Sequence, residues 1–115
     1  MELNLKNKII IVTGGSKGIG GGITRLLAKE GAIPIIIGRD ELSIKSIINE
    51  LENKKQNVDY VYAELTNSDQ CKKAIAFIYK KYNQIDGLVN NAGVNDGVSL
   101  KNGSAKQFID SINKN

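Results

Sequence analysis

At 115 residues, with 41% hydrophobic and 24% charged residues, the chain has the size of one domain around one core and the composition of an ordinary globular fold. Its net charge of +4 comes from lysines on separate helix ends and faces, such as Lys54-Lys55, Lys72-Lys73 and Lys80-Lys81, so a solvated surface is expected rather than a nucleic-acid patch. With no histidine, one cysteine and no apolar run of ~18 residues, the chain lacks a His-based triad, an internal disulfide and a transmembrane helix, and no membrane association is expected.

The first strand is expected over Lys8 to Thr13, in the apolar run Ile9-Ile10-Ile11-Val12. It leads into Thr13-Gly14-Gly15-Ser16-Lys17-Gly18-Ile19-Gly20 and then a helical pattern from Gly18 to Glu30. In that helix Ile19, Ile23, Leu26 and Leu27 are placed on one apolar face, and Gly31 ends it. The second strand runs from Ala32 to Gly38, with Pro34 near its start, where a missing donor matters least. Asp40 suits the cap of a second helix that buries Ile44, Ile47, Ile48 and Leu51. A polar loop over Asn53 to Asn57 precedes the third strand, Val58 to Ala63. Caps among Thr66 to Asp69 open a third helix that buries Cys71, Ala74, Ile75 and Ile78. Cys71 on that face reads as a packing residue before a reactive thiol. The fourth strand is Gly87 to Asn90; a loop from Val94 to Gly103 and a helix from Ser104, with Phe108, Ile109 and Ile112, follow.

This alternation predicts an α/β fold, a Rossmann-type doubly wound parallel sheet, with residues 1–115 forming the front portion of a nucleotide-binding domain. Right-handed crossovers order the strands 3-2-1-4 and place the ligand at the carboxyl ends, at the switch between strands one and four.

The glycine turn is the strongest chemical signal. A strand that turns through glycines into a helix aims backbone N–H groups and the positive helix end at one point, which suits a phosphate. The spacing of Gly14, Gly18 and Gly20 is not G-x-G-x-x-G, and no Gly-Lys-Ser or Gly-Lys-Thr closes a Walker loop. A plain tight connection is the competing reading. Arg39, directly after strand two, and Lys17, inside the turn, are cations where a 2′-phosphate would lie, and together they favour NADP over NAD. A solvated Arg39 stays open as an alternative. Glu64 and Leu65 close strand three, where a carboxylate could accept from the adenine amino group or simply face water. Asn90-Asn91-Ala92-Gly93 closes strand four with small residues that let a cofactor approach the backbone.

Thr13-Gly14-x-x-x-Gly18-Ile19-Gly20 together with Asn90-Asn91-Ala92-Gly93 resembles the short-chain dehydrogenase/reductase family, over essentially all 115 residues. The resemblance implies that Gly14, Ser16, Lys17, Gly18, Ile19 and Gly20 contact the pyrophosphate and adjoining ribose of NAD(P). It implies that Arg39 meets the adenosine ribose or its phosphate, that Glu64 and Leu65 flank adenine, and that Asn91, Ala92 and Gly93 lie along the cofactor. The family more often has Asp where Glu64 stands. Residues 90–98, with Gly20-Gly21-Gly22 and Ala32-Ile33-Pro34, are similar to the family's L-fucose dehydrogenases, which oxidise an aldose to a lactone. Asn95 and Asp96 could then hydrogen-bond sugar hydroxyls, or serve only the turn.

The family's chemistry uses a Tyr-x-x-x-Lys pair assisted by Ser and Asn. Tyr60, Tyr62, Tyr79 and Tyr82 are followed four positions later by Glu64, Thr66, Asn83 and Asp86, so none makes the pair. Asn115 matches the assisting Asn. The expectation is a fragment, truncated gene or split half of a cytoplasmic, homo-oligomeric oxidoreductase that acts on a sugar or alcohol. The alternative is a non-catalytic nucleotide-binding or interaction module.

Overall fold

The computed structural model describes residues 4–91. The expectations for Ala92, Gly93, Asn95, Asp96, the loop and helix beyond them and Asn115 lie outside the described residues.

The chain alternates β1 (Ile9–Thr13), α1 (Gly18–Lys29), β2 (Ile33–Gly38), α2 (Glu41–Asn53), β3 (Asp59–Tyr62), α3 (Ser68–Tyr82) and β4 (Gly87–Asn90). The strands form one sheet in the order β3-β2-β1-β4, with every neighbouring pair parallel. The expected architecture and strand order are therefore observed.

Both faces of the sheet are covered, which is why β1 and β2 are apolar without alternation. Ile9, Ile11, Ile35 and Ile37 pack with Ala74, Ile75 and Ile78 of α3 on one face. Ile36 packs on the other face with Ala28 of α1 and with Ile44, Ile47 and Leu51 of α2. Ile10 and Val12 complete that face under Ile23 and Leu27 of α1. Each isoleucine sealed this way contributes ~1.5–3 kcal/mol relative to an exposed one.

Three local expectations need correction. The buried face of α1 consists of Gly20, Gly21, Thr24 and Ala28, not of the stripe through Ile19 and Leu26. Ile19 is 78% exposed and Leu26 53% exposed. Small residues four apart let the helix press closely on the sheet, and Leu26, two residues from both Thr24 and Ala28, falls on the far side. Ile23 and Leu27 are only partly buried. Cys71 is half-buried rather than core, with Sγ 3.8 Å from the Glu64 carbonyl oxygen and 3.6 Å from that of Leu65. The first three strands are also shorter than expected, whereas β4 keeps the expected bounds. The Ala32 amide donates to the Leu27 carbonyl (3.0 Å) as part of the exit from α1, so β2 opens at Ile33.

Pro34 sits where its missing N–H is harmless. Ile33 donates to the carbonyl of Lys8, just before β1, and amides alternate sides along a strand, so the Pro34 nitrogen faces the β3 side. Pairing with β3 begins only at Ile35, opposite Asp59. Gly31, at φ 89°, supplies the left-handed step after α1.

Candidate functional site

Parallel strands end on the same edge. The registers Thr13↔Ile37, Gly38↔Tyr62 and Thr13↔Asn90 set the four carboxyl ends side by side. The turn 14–20, Arg39, Glu64, Leu65 and Asn91 each follow one of these ends, so the fold brings together every sequence-derived candidate among the described residues.

The turn leaves β1 with one further sheet-like bond, from the Gly14 amide to the Ile37 carbonyl oxygen (3.0 Å). Gly14 and Gly18 then adopt φ 63° and 59°, the left-handed region that disfavours side chains. Gly20 is required by a different constraint. A Cβ there would run into the Gly14 carbonyl oxygen and the Asn91 side-chain amide. The two glycine positions and Asn91 thus interlock, and Asn91 Nδ2 donates to the Gly14 carbonyl oxygen at 3.2 Å. Thr13 ties the same corner to β4. Its hydroxyl donates to Asn90 Oδ1 (3.1 Å) and accepts the Asn91 amide (3.0 Å). In this way the turn after β1 and the residues after β4, 77 positions apart, form one hydrogen-bonded unit.

The N-terminus of α1 lies over this unit. Lys17 occupies the cap position, makes no side-chain cap bond, and no acidic residue sits in the first turn. The first-turn amides of any helix lack intrahelical partners, and they carry the positive end of the dipole. At α2, by contrast, Asp40 accepts from the Ser43 amide (3.2 Å), as the sequence reading expected.

The two cations expected at the site are each held by a carboxylate. Lys17 Nζ lies 2.8 Å from Asp40 Oδ2, and Arg39 Nη1 lies 2.6 Å from Glu64 Oε2. The Lys17 ammonium, aided by the Ser43 amide, holds the Asp40 carboxyl down to about 2. Glu64 is also lowered, chiefly by the Thr66 backbone amide and then its hydroxyl, with Arg39 contributing less. The Arg39 side chain is 78% exposed and the Lys17 side chain 70%, so both pairs are surface contacts that a bound anion can displace. Ser16 Oγ meets Ser43 Oγ at 2.9 Å and links the turn to α2. The Glu64 amide donates to Gln70 Oε1 (2.7 Å), and Leu65 packs partly buried beside α3.

Sequence reasoning missed Thr24, Ser43, Gln70 and the role of Asp40 as partner of Lys17. A polar residue at the centre of a small-residue helix face could have flagged Thr24. The others depend on how separate loops approach, which spacing along one chain does not encode. Among the described residues no tyrosine is followed four positions later by a lysine. Tyr82 donates to Asp59 Oδ2 (2.5 Å) at the opposite end of β3, and burial followed by that carboxylate pushes its hydroxyl pKa up. Tyr60 and Tyr62 meet at a tilt of 50° on the exposed part of β3, with ring centroids 5.0 Å apart.

Comparison with known proteins places this geometry. The sequence model described as "short chain dehydrogenase" matches residues 8–115. The chain is 41% identical over 88 residues to a 7alpha-hydroxysteroid dehydrogenase of Bacteroides fragilis, covering 76% of this chain and 34% of that protein. It is 36% identical over 92 residues to a 3-oxoacyl-acyl-carrier-protein reductase of Thermotoga maritima, covering 80% of this chain and 37% of that protein. Among solved structures, an actinorhodin polyketide ketoreductase with NADPH superposes with a TM-score of 0.71 at 27% identity, covering 90% of this chain and 40% of that one. The chain thus spans little more than a third of the length of these relatives. With the family match extending from β1 through the turn and the Asn90-Asn91 corner, the chain belongs to the short-chain dehydrogenase family.

Proposed function

We propose that residues 1–115 form the cofactor-holding front portion of a short-chain oxidoreductase that binds a nicotinamide dinucleotide, NADP in preference to NAD. One observation carries this reading. The turn enters α1 through Gly18, at φ 59° with open space where a side chain would stand, and the helix start carries neither a side-chain cap nor a first-turn acid. That cradle fits a pyrophosphate, which needs close backbone approach and open amides. When bound, the nicotinamide supplies hydride transfer. The chain's own residues bind and orient it. The turn from Gly14 to Gly20 holds the pyrophosphate, Glu64 and Leu65 border adenine, and Asn91, Ala92 and Gly93 lie along the cofactor.

The NADP preference rests on Lys17 and Arg39. A 2′-phosphate, with a charge near −2, would take both cations from Asp40 and Glu64, whereas a ribose hydroxyl would leave those pairs in place. The NADPH complex of the similar ketoreductase favours the same cofactor.

For the whole protein we propose a homo-oligomeric, cytoplasmic enzyme acting on a hydroxyl or carbonyl carbon. Asn95 and Asp96 are assigned to a sugar of the L-fucose class and Asn115 to catalytic assistance. The sugar assignment stands on sequence resemblance in 90–98. Among the described residues no helix is long and apolar enough to cross a membrane. The second reading is a non-catalytic nucleotide-binding module, which would use the same uncapped helix start to hold a dinucleotide without turning it over.

Calorimetric titration with NADP and NAD tests the binding claim. An assay of the full-length protein for nicotinamide reduction with aldoses, 3-hydroxyacyl thioesters and hydroxysteroids separates the two readings. Binding with turnover of an aldose supports the enzyme and its sugar class, binding without turnover on any panel member supports the module, and no dinucleotide binding overturns both.

A further inference from the structure

We propose that Thr24 is a positioning residue that sets the phosphate-binding turn through the Gly15 carbonyl. Thr24 is fully buried in α1, at 0% exposure. Its hydroxyl oxygen lies 2.8 Å from the Gly15 carbonyl oxygen and 2.9 Å from that of Gly20. A hydroxyl has one proton to donate. The Gly20 carbonyl is already the i−4 acceptor of the Thr24 amide in the helix, so the Gly15 carbonyl has the stronger claim on that proton.

The consequence lies on the other side of the peptide. In a planar trans peptide the C=O and the next N–H point in opposite directions. Holding the Gly15 carbonyl toward Thr24 therefore turns the Ser16 amide away from the buried face of α1. The preceding carbonyl, of Gly14, is held by Asn91 Nδ2 at 3.2 Å. Two successive peptides of the turn are thus anchored, one from α1 and one from the end of β4. A turn whose amides already face the ligand loses less entropy when an anion binds.

A Cβ at Gly15 would lie 2.8 Å from Thr24 Oγ1 and 3.0 Å from Val12 Cβ, so the bare glycine makes room for the hydroxyl to reach the carbonyl. Packing alone would be served as well by valine, which has the same shape without a polar group to desolvate.

This inference rests on the proposed dinucleotide site, and its test separates the two. Binding of ADP and of adenosine is measured by calorimetry or ligand-observed NMR for the wild type, Thr24→Ala, Thr24→Val and Thr24→Ser. Alanine adds no atom and is the best helix former, so the fold is retained. Valine keeps the volume, and either variant carries the comparison. ADP affinity is expected to fall about five- to ten-fold in Thr24→Ala and Thr24→Val, to return to within about two-fold of wild type in Thr24→Ser, and adenosine binding to stay within about two-fold throughout. Unchanged ADP binding in the alanine and valine variants overturns the role of Thr24 while leaving the site. Equal losses for ADP and adenosine, or no rescue by serine, also overturn it, because general loosening would produce them. Failure of the wild type to bind ADP overturns the site, and this role with it.

Discussion

Helices α1 and α3 both start at the carboxyl edge of the sheet, and their first turns are finished in opposite ways. At α3, Asn67 Oδ1 accepts the Gln70 amide (3.1 Å) and Asp69 adds an acidic group to the first turn. At α1 the cap position holds a lysine, no side chain caps the amides, and no acid lies in the first turn. A helix whose start only has to be stable carries its own oxygen acceptors. At α1 the side chains of Asn91 and Thr24 anchor the carbonyls of Gly14 and Gly15 instead, and the first-turn amides receive no side-chain cap. The difference teaches that a helix start is better read by which of its groups are anchored than by its glycine content alone.

The largest break in this comparison comes from Gly20→Ala. The added Cβ must displace the Gly14 carbonyl or the Asn91 amide, so ADP and NADP binding are expected to fall by a factor of ~100 or more. Stability should fall by about 1–3 kcal/mol, measured by urea denaturation. Arg39→Asp is next. It removes the cation that now pairs with Glu64, and NADP affinity should fall about ten-fold while NAD affinity changes much less. Equal loss for both dinucleotides would remove the 2′-phosphate contact from the account.

Asn67→Ala sharpens the comparison from the other helix. It should cost ~1 kcal/mol of stability through the lost cap and leave ADP binding at the wild-type value. A drop in ADP affinity there would make the two helix starts functionally alike. The smallest effect is electrostatic. Asp40 titrates at about 2, below its ordinary 3.8, so its pairing with Lys17 is fully present above the ordinary value and is lost as pH falls toward 2. An NMR titration of the Asp40 carboxyl carbon should find that low midpoint, and Lys17→Gln should move it upward.

Much of this arrangement was legible in the sequence, for identifiable physical reasons. Isoleucine runs without alternation marked β1 and β2 as strands covered on both faces, and the strand–helix alternation then fixed the order of the sheet. Asp40 announced itself as a cap because short polar side chains bond locally, and among the candidates from Thr66 to Asp69 the structure selects Asn67. The buried face of α1 was misread because Ile19 and Leu26 are apolar, yet the close approach of the helix is set by Gly20, Gly21, Thr24 and Ala28. Hydropathy has no means of registering that a glycine is the contact. The ion pairs of Lys17 and Arg39 and the Asn91–Gly14 bond join residues from different crossovers, so they become visible only once the strand ends stand side by side.

The central claim is that the turn from Gly14 to Gly20 holds the pyrophosphate of a nicotinamide dinucleotide. A two-dimensional amide NMR titration with NADP tests it most directly, residue by residue. The account predicts that the largest shifts fall on the amides of Gly15 to Gly20, with Asn91 and Arg39 next and the capped start of α3 nearly still. Absence of saturable binding, or shifts centred on α3 or on the exposed face of β3, would contradict it.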